Sequence, residues 1–91
     1  MTLLVLTARY APPTVEAAAI ACIHNLRQLE GAQQQWALEH DRTNAVPTWA
    51  ELRPYLLGGR RPVCAQGGTY SLSRMGDHPK CSLGPPRHAL P

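Results

Sequence analysis

Hydrophobic and polar positions repeat with a helical period over residues 14–40. At an advance of about 100° per residue, one face collects the apolar side chains of Val15, Ala19, Cys22, Leu26, Leu29, Trp36 and Ala37. Gln33 interrupts this face, while Ile20 and Leu38 lie off it. Polar residues occupy most of the opposite side. The pattern predicts one long amphipathic helix.

Local signals define the ends of this helix. Pro12 and Pro13 oppose a helix further upstream, and Thr14 is suited to the N-cap position. Glu16 would lie at the positive end of the helix dipole. Residues 41–44 have the composition of a turn. We therefore expect a helix over about 14–40, preceded by an N-terminal arm of residues 1–13.

A second, shorter helix is predicted over about 49–57. Thr48 and Glu51 form the pattern of a capping box, in which each side chain accepts a hydrogen bond from the other residue's backbone N–H. Pro54 lacks the N–H that a regular helix needs, so the chain should turn at an angle there. Gly58 and Gly59 are suited to the end of the segment.

The hydrophobic period changes after residue 61. Val63 and residues 69–72 alternate as short strands around a turn at Gly67-Gly68. Residues 79–83 are predicted to form a third strand, which Pro79 restricts to an edge. The fold class expected is α+β, with a long N-terminal helix packed on a small antiparallel β-sheet and a short second helix between them. Residues 14–91 would form a single domain whose strand and turn region covers about 61–83.

The length and the charge of the chain limit the kinds of function that we expect. A chain of 91 residues is enough for one domain with a small core. The formal net charge of +3 is modest, and Arg60-Arg61 has no aromatic platform beside it, so nucleic acid is not an expected partner. No apolar run approaches the roughly 20 residues that cross a bilayer. Residues 1–11 also lack the features of a secretory signal.

The three cysteines divide into two environments. Cys22 lies on the apolar face of the long helix, where a buried thiol behaves as a small hydrophobic group. Cys64 and Cys81 lie in the turn-rich region, where little core is available to hold the chain together. We predict a disulfide between Cys64 and Cys81, which indicates an oxidising compartment.

The cysteines and histidines of the same region suggest a metal site. Cys64, His78, Cys81 and His88 could supply four ligands, but the compact ligand spacings of common zinc sites are absent. We therefore expect no metal and no cofactor, and we expect that zinc adds nothing to folding.

No catalytic motif is recognisable. A nucleophile–base pair of Cys22 with His24 is excluded on a helix, because residues two apart point about 200° away from each other. His40 is the other histidine that could act as a base for the same thiol. The carboxylates are scattered, and no phosphate-binding loop, nucleophile elbow or zinc-protease motif is present. We expect that the protein is not an enzyme.

An ordered set of short motifs resembles the C-terminal soluble part of type IV pilin-like proteins, in particular small bacterial prepilins and the pseudopilins of type II secretion systems. The set runs over about residues 19–90. Its members are Ala21-Cys22-Ile23, Asn25-Leu26-Arg27, Gln34-Gln35-Trp36-Ala37, Pro47-Thr48-Trp49-Ala50, Pro54-Tyr55, Cys64, Gly67-Gly68-Thr69-Tyr70 and Cys81. Each motif is weak by itself, whereas their order is fairly specific.

The resemblance implies a long helix on a small antiparallel sheet, with a C-terminal disulfide. It also implies a structural subunit of a filament in the cell envelope, on its periplasmic or extracellular face, with other pilin-like subunits as partners. The family's hydrophobic N-terminal segment is absent here, and membrane contact would require such a segment upstream of Met1. Major pseudopilins carry a calcium site in this region, which is not transferred because Asp77 is its only acid.

A subunit of this kind needs exposed apolar surface on the first half of its helix, and Val15, Ile20 and Ile23 are the candidate interface residues. Two alternatives remain open. The chain could be a soluble, disulfide-stabilised binding module outside the cytoplasm. It could also be a Cys/His metal-binding protein.

Overall fold

A computed structural model describes residues 14–91 of the chain. Helix α1 covers Val15–Glu39, and the short helix α2 covers Trp49–Leu52. Two 3₁₀ turns follow at Arg53–Tyr55 and Leu57–Gly59. Strands β1 (Tyr70–Ser71) and β2 (Lys80–Cys81) complete the order. The α+β class expected from the sequence is confirmed, while the predicted N-terminal arm lies outside the described residues.

Helix α1 begins and ends within one residue of the predicted bounds. Thr14 is the N-cap, and its side-chain oxygen accepts a hydrogen bond from the Ala17 backbone N–H at 3.0 Å. The residues buried along the helix follow a helical period: Ala18, Ala19, Cys22, Leu26, Leu29, Ala32, Gln33, Trp36 and Ala37. Val15 belongs to the predicted apolar face but is exposed. Within residues 14–91, no helix combines the length and apolarity that crossing a membrane requires.

The predicted capping box is present at the start of α2. Thr48 accepts from the Glu51 backbone N–H at 3.1 Å, and the Glu51 carboxylate accepts from the Thr48 backbone N–H at 2.9 Å. The α-helix ends at Leu52, and Pro54 lies in a 3₁₀ turn, as its missing N–H requires. Tyr55 donates its hydroxyl to Glu39 at 2.8 Å, which ties this segment to the end of α1.

The sheet is smaller than the sequence predicted. β1 and β2 pair antiparallel, with Tyr70 opposite Cys81 and Ser71 opposite Lys80. Val63 lies in no strand; it follows a proline, and its carbonyl accepts a hydrogen bond from the Asn25 side chain at 3.1 Å. That carbonyl is therefore bonded to helix α1 where a strand neighbour was expected.

The core lies between α1 and the later segments. Its members come from α1, from α2 and the turns, and from the strand region: Cys22, Leu26, Leu29, Ala32, Trp36, Ala37, Leu52, Leu56, Cys64, Tyr70 and Cys81. Trp36 is 2% exposed, so its indole packs in this core as the helical spacing predicted. Trp49 is partly buried, and the Arg61 guanidinium lies 4.2 Å from the centre of its ring.

Gln33, the polar interruption of the apolar face, is 1% exposed. Its side-chain amide donates to the Ser73 hydroxyl at 3.1 Å, and its carbonyl oxygen accepts the Ser73 backbone N–H at 2.9 Å. A buried polar side chain with both ends bonded incurs little desolvation penalty. Gln33 therefore attaches the loop after β1 to helix α1.

We expect Gln33→Leu to lower the free energy of unfolding by about 1–3 kcal/mol, because the Ser73 N–H loses its acceptor. Gln34→Leu is the matched control, since Gln34 is on the same helix and exposed. Urea unfolding of both variants measures the difference. Equal stability of the two variants would show that the Gln33 bonds contribute nothing.

Candidate functional site

Three cysteines and one histidine that are distant in sequence meet in the interior. The Sγ atoms of Cys22, Cys64 and Cys81 and a ring nitrogen of His88 all lie within 4.8 Å of one another. Cys22 is on α1, Cys64 follows the second 3₁₀ turn, Cys81 is in β2 and His88 is in the C-terminal tail. All four residues are buried, from 0% exposed at Cys22 to 6% at His88.

The chain around Cys64 presents backbone donors to its sulfur. Although burial opposes ionisation of the thiol, the backbone N–H groups of Gln66 and Gly68 donate to Sγ and hold the pKa of Cys64 below its usual value. The Gly67 N–H donates to the Cys64 carbonyl at 3.0 Å, and this turn places the two amides near Cys64. The loop therefore stabilises a thiolate at Cys64.

Gly68 is required for the close approach of two of the sulfurs. A Cβ atom at this position would overlap the Cys81 Sγ and lie 3.3 Å from the Cys64 Sγ. The absence of a side chain at Gly68 thus allows the loop after Cys64 to pass against β2.

Cys22 has a different environment. Burial is the main reason that its pKa is raised to about 12, while the Tyr70 hydroxyl donates a hydrogen bond to its sulfur and partly opposes the rise. Burial and the bond to Cys22 likewise raise the pKa of Tyr70. The Tyr70 oxygen accepts from the Asn25 side chain at 3.0 Å. Asn25 therefore ties the Tyr70 hydroxyl to helix α1.

His88 is oriented by a hydrogen bond on the far side of its ring. Its Nε2 lies 2.8 Å from the Gln66 side-chain oxygen, which can only accept, so Nε2 carries the proton. In the neutral ring Nδ1 is then the unprotonated nitrogen, and it lies 3.7 Å from the Cys64 Sγ and 3.9 Å from the Cys81 Sγ. The lone pair of the neutral imidazole therefore points at the cysteines.

The disulfide predicted between Cys64 and Cys81 is not formed in the structure, where all three cysteines are free. The pairing stays a prediction. Cys22 is a buried thiol, as expected, but it lies beside the other two cysteines.

Of the four candidate ligands in the sequence, His78 lies outside the cluster. Its imidazole contacts the Glu30 carboxylate on α1 and is about half exposed. His24 and His40 are exposed on α1 and at its end. Within residues 14–91, Cys22, Cys64, Cys81 and His88 are the one group of three or more His, Cys, Asp or Glu side chains close enough to share a metal ion.

Sequence reasoning missed the membership of Cys22. One feature of the sequence could have indicated it: Cys22 lies on the face of α1 that packs in the core, and the later segments pack against that face. The spacing rule for zinc ligands looks for close pairs along the chain, whereas these four residues come from four separate segments.

The predicted interface residues lie on the first half of the same helix. Val15 is 51% and Ile20 is 59% exposed, while Ile23 is partly buried. A surface hollow of about 330 Å³ is lined by Glu16, Ala19, Ile20, Ile23 and Arg87. At its rim the Arg87 guanidinium lies 3.7 Å from the Glu16 carboxylate. The first half of α1 is not exposed throughout, because Ala18 and Ala19 are buried.

No known family model, curated protein or solved structure matches this chain.

We expect Gly68→Ala to destabilise the fold by about 1–3 kcal/mol, because the added methyl group overlaps the Cys81 sulfur. Gly31→Ala is the control: a Cβ there meets no atom within 4 Å, and alanine favours helix. Thermal unfolding compares the two variants. If Gly68→Ala is as stable as the unchanged chain, the sulfurs do not approach the loop as described.

Proposed function

We propose that this chain is a non-catalytic structural subunit of the pilin-like class, which packs through the first half of α1 against other subunits in a cell-envelope filament. One observation carries the proposal: Val15 and Ile20 are more than half exposed on α1, and Ile20 lines a largely apolar hollow. Contiguous exposed apolar surface commonly marks a site of protein–protein contact. The ordered motifs that resemble pilin-like proteins support the same class.

The shape of this surface suits a second helix. Glu16 and Ile20, and likewise Ala19 and Ile23, are four residues apart and form two ridges along α1. Ala19 is small, so a groove is left beside Ile20 and Ile23. Helices pack when the side-chain ridge of one enters such a groove of the other. An α1 helix of a neighbouring subunit supplies an element of this kind.

The charges at the rim are compatible with association between copies. Glu16 and Arg87 border the hollow with opposite charges. In a filament of like subunits, the Glu16 carboxylate of one subunit can face the Arg87 guanidinium of its neighbour, so that both charges are paired. A partner with a uniformly acidic or basic face would be repelled by one of the two.

The test places a photoreactive benzoylphenylalanine at Ile20 in the cells that make the protein. We expect irradiation to give adducts at multiples of the chain mass in the envelope fraction. The matched position is Leu57, an equally apolar residue that is 81% exposed elsewhere on the surface. It should give mainly the uncrosslinked chain.

The same pair of positions supplies a test by substitution. Ile20→Glu should reduce the assembled fraction, because a carboxylate would be buried in the contact. Leu57→Glu should leave it unchanged. Adducts at position 20 with an unrelated protein would favour the soluble binding module, and an absence of adducts would refute a contact at this face.

A further inference from the structure

We propose that Cys22, Cys64, Cys81 and His88 bind one zinc ion in a closed, structural site. This inference is independent of the filament proposal and replaces the expectation that zinc adds nothing to folding. The four residues come from four separate segments of the chain and place their donor atoms within 4.8 Å of one another. Three thiolates and one imidazole form a set that zinc prefers.

The distances suit a tetrahedral ion. With Zn–S bonds of about 2.3 Å and Zn–N bonds of about 2.0–2.1 Å, neighbouring ligand atoms in a tetrahedron are about 3.6–3.8 Å apart. The His88 Nδ1 already lies 3.7 Å from the Cys64 Sγ and 3.9 Å from the Cys81 Sγ. The remaining separations, all below 4.8 Å, need to shorten by at most about 1 Å.

The orientation of the His88 ring suits metal coordination. Zinc-binding histidines donate their second ring N–H to a nearby oxygen, which fixes the tautomer and the ring orientation. Gln66 provides that oxygen at 2.8 Å from Nε2. Nδ1 is left to coordinate, and it is the nitrogen nearest Cys64 and Cys81.

The loop after Cys64 keeps the sulfurs close together. A turn closed by the Gly67 N–H and the Cys64 carbonyl at 3.0 Å returns the chain past Cys64. Gly68 admits Cys81 to the cluster, because any side chain there would overlap its sulfur.

Zinc accounts for more of the cluster than a disulfide does. A Cys64–Cys81 bond would use two sulfurs and leave Cys22 and His88 without a role. A zinc ion uses all four donors. Four protein ligands fill a tetrahedral shell and all are buried, so no coordination position is left for a substrate. The site is therefore structural, and it joins α1, the loop after the 3₁₀ turns, β2 and the tail.

The first test measures the metal content of the full chain, purified without added metal. We expect one zinc per chain by elemental mass spectrometry. In a parallel sample, free thiols are blocked in the lysate, so that any Cys64–Cys81 disulfide already present can be detected. Replacement by Co²⁺ should give thiolate-to-cobalt charge-transfer absorption and the visible bands of a tetrahedral ion. A chelator should lower the midpoint of thermal unfolding strongly.

Variants assign the ligands. Cys22→Ser and His88→Gln should abolish stoichiometric zinc and change the cobalt spectrum, while His78→Gln, which alters a histidine outside the cluster, should change neither. Gln66→Leu keeps every ligand and should weaken zinc binding about 10- to 100-fold. Gln34→Leu, on the exposed side of α1, is its control.

His88→Cys keeps the proposal testable if the other ligand variants fail to fold. It should still bind one metal ion, with stronger thiolate-to-cobalt absorption than the unchanged chain. Three outcomes would overturn the proposal: a Cys64–Cys81 disulfide in the thiol-blocked sample, a reduced chain that binds no zinc, or a cobalt spectrum that Cys22→Ser leaves unchanged. None of these changes the crosslinking expected at Ile20, so the two proposals can fail separately.

Discussion

The packing of the C-terminal half against helix α1 is the constraint on which the rest of the structure depends. The sheet consists of two strands of two residues each, which is far too small to be stable by itself. Polar side chains of α1 fix it in place: Asn25 donates to the Val63 carbonyl and the Tyr70 hydroxyl, and Gln33 bonds Ser73. The strand region takes its conformation from the helix as much as from its own pairing.

This dependence explains which features the sequence could predict. Helix α1 and the capping box at Thr48 rest on local periodicity and on contacts three residues apart, and both appear within a residue of the expected positions. Val63 was expected in a strand because its pattern alternates, yet its carbonyl is taken by Asn25, which lies 38 residues earlier in the chain. Contacts of that range leave no local pattern to detect.

The cluster of Cys22, Cys64, Cys81 and His88 is the extreme case of such contacts. The sequence offered Cys64, Cys81 and His88 as possible ligands together with His78, but their spacing along the chain gave no reason to expect them to meet. Adding Cys22 required knowing that the core face of α1 is met by β2, and choosing His88 over His78 required knowing that the tail returns. Gln33 shows the same limit, since its misfit on the apolar face is resolved only by the position of Ser73.

The interior cluster and the outer face of α1 are connected through adjacent residues. His88 places its ring against the cysteines, while its neighbour Arg87 reaches the Glu16 carboxylate at the rim of the surface hollow. An exposed ion pair of this kind contributes little by itself, so it cannot hold the tail in place. The wall that Arg87 adds to the hollow therefore depends on whatever fixes His88. A bound zinc ion would fix His88, whereas Ile20 lies on α1 itself, so its exposure does not depend on the ion.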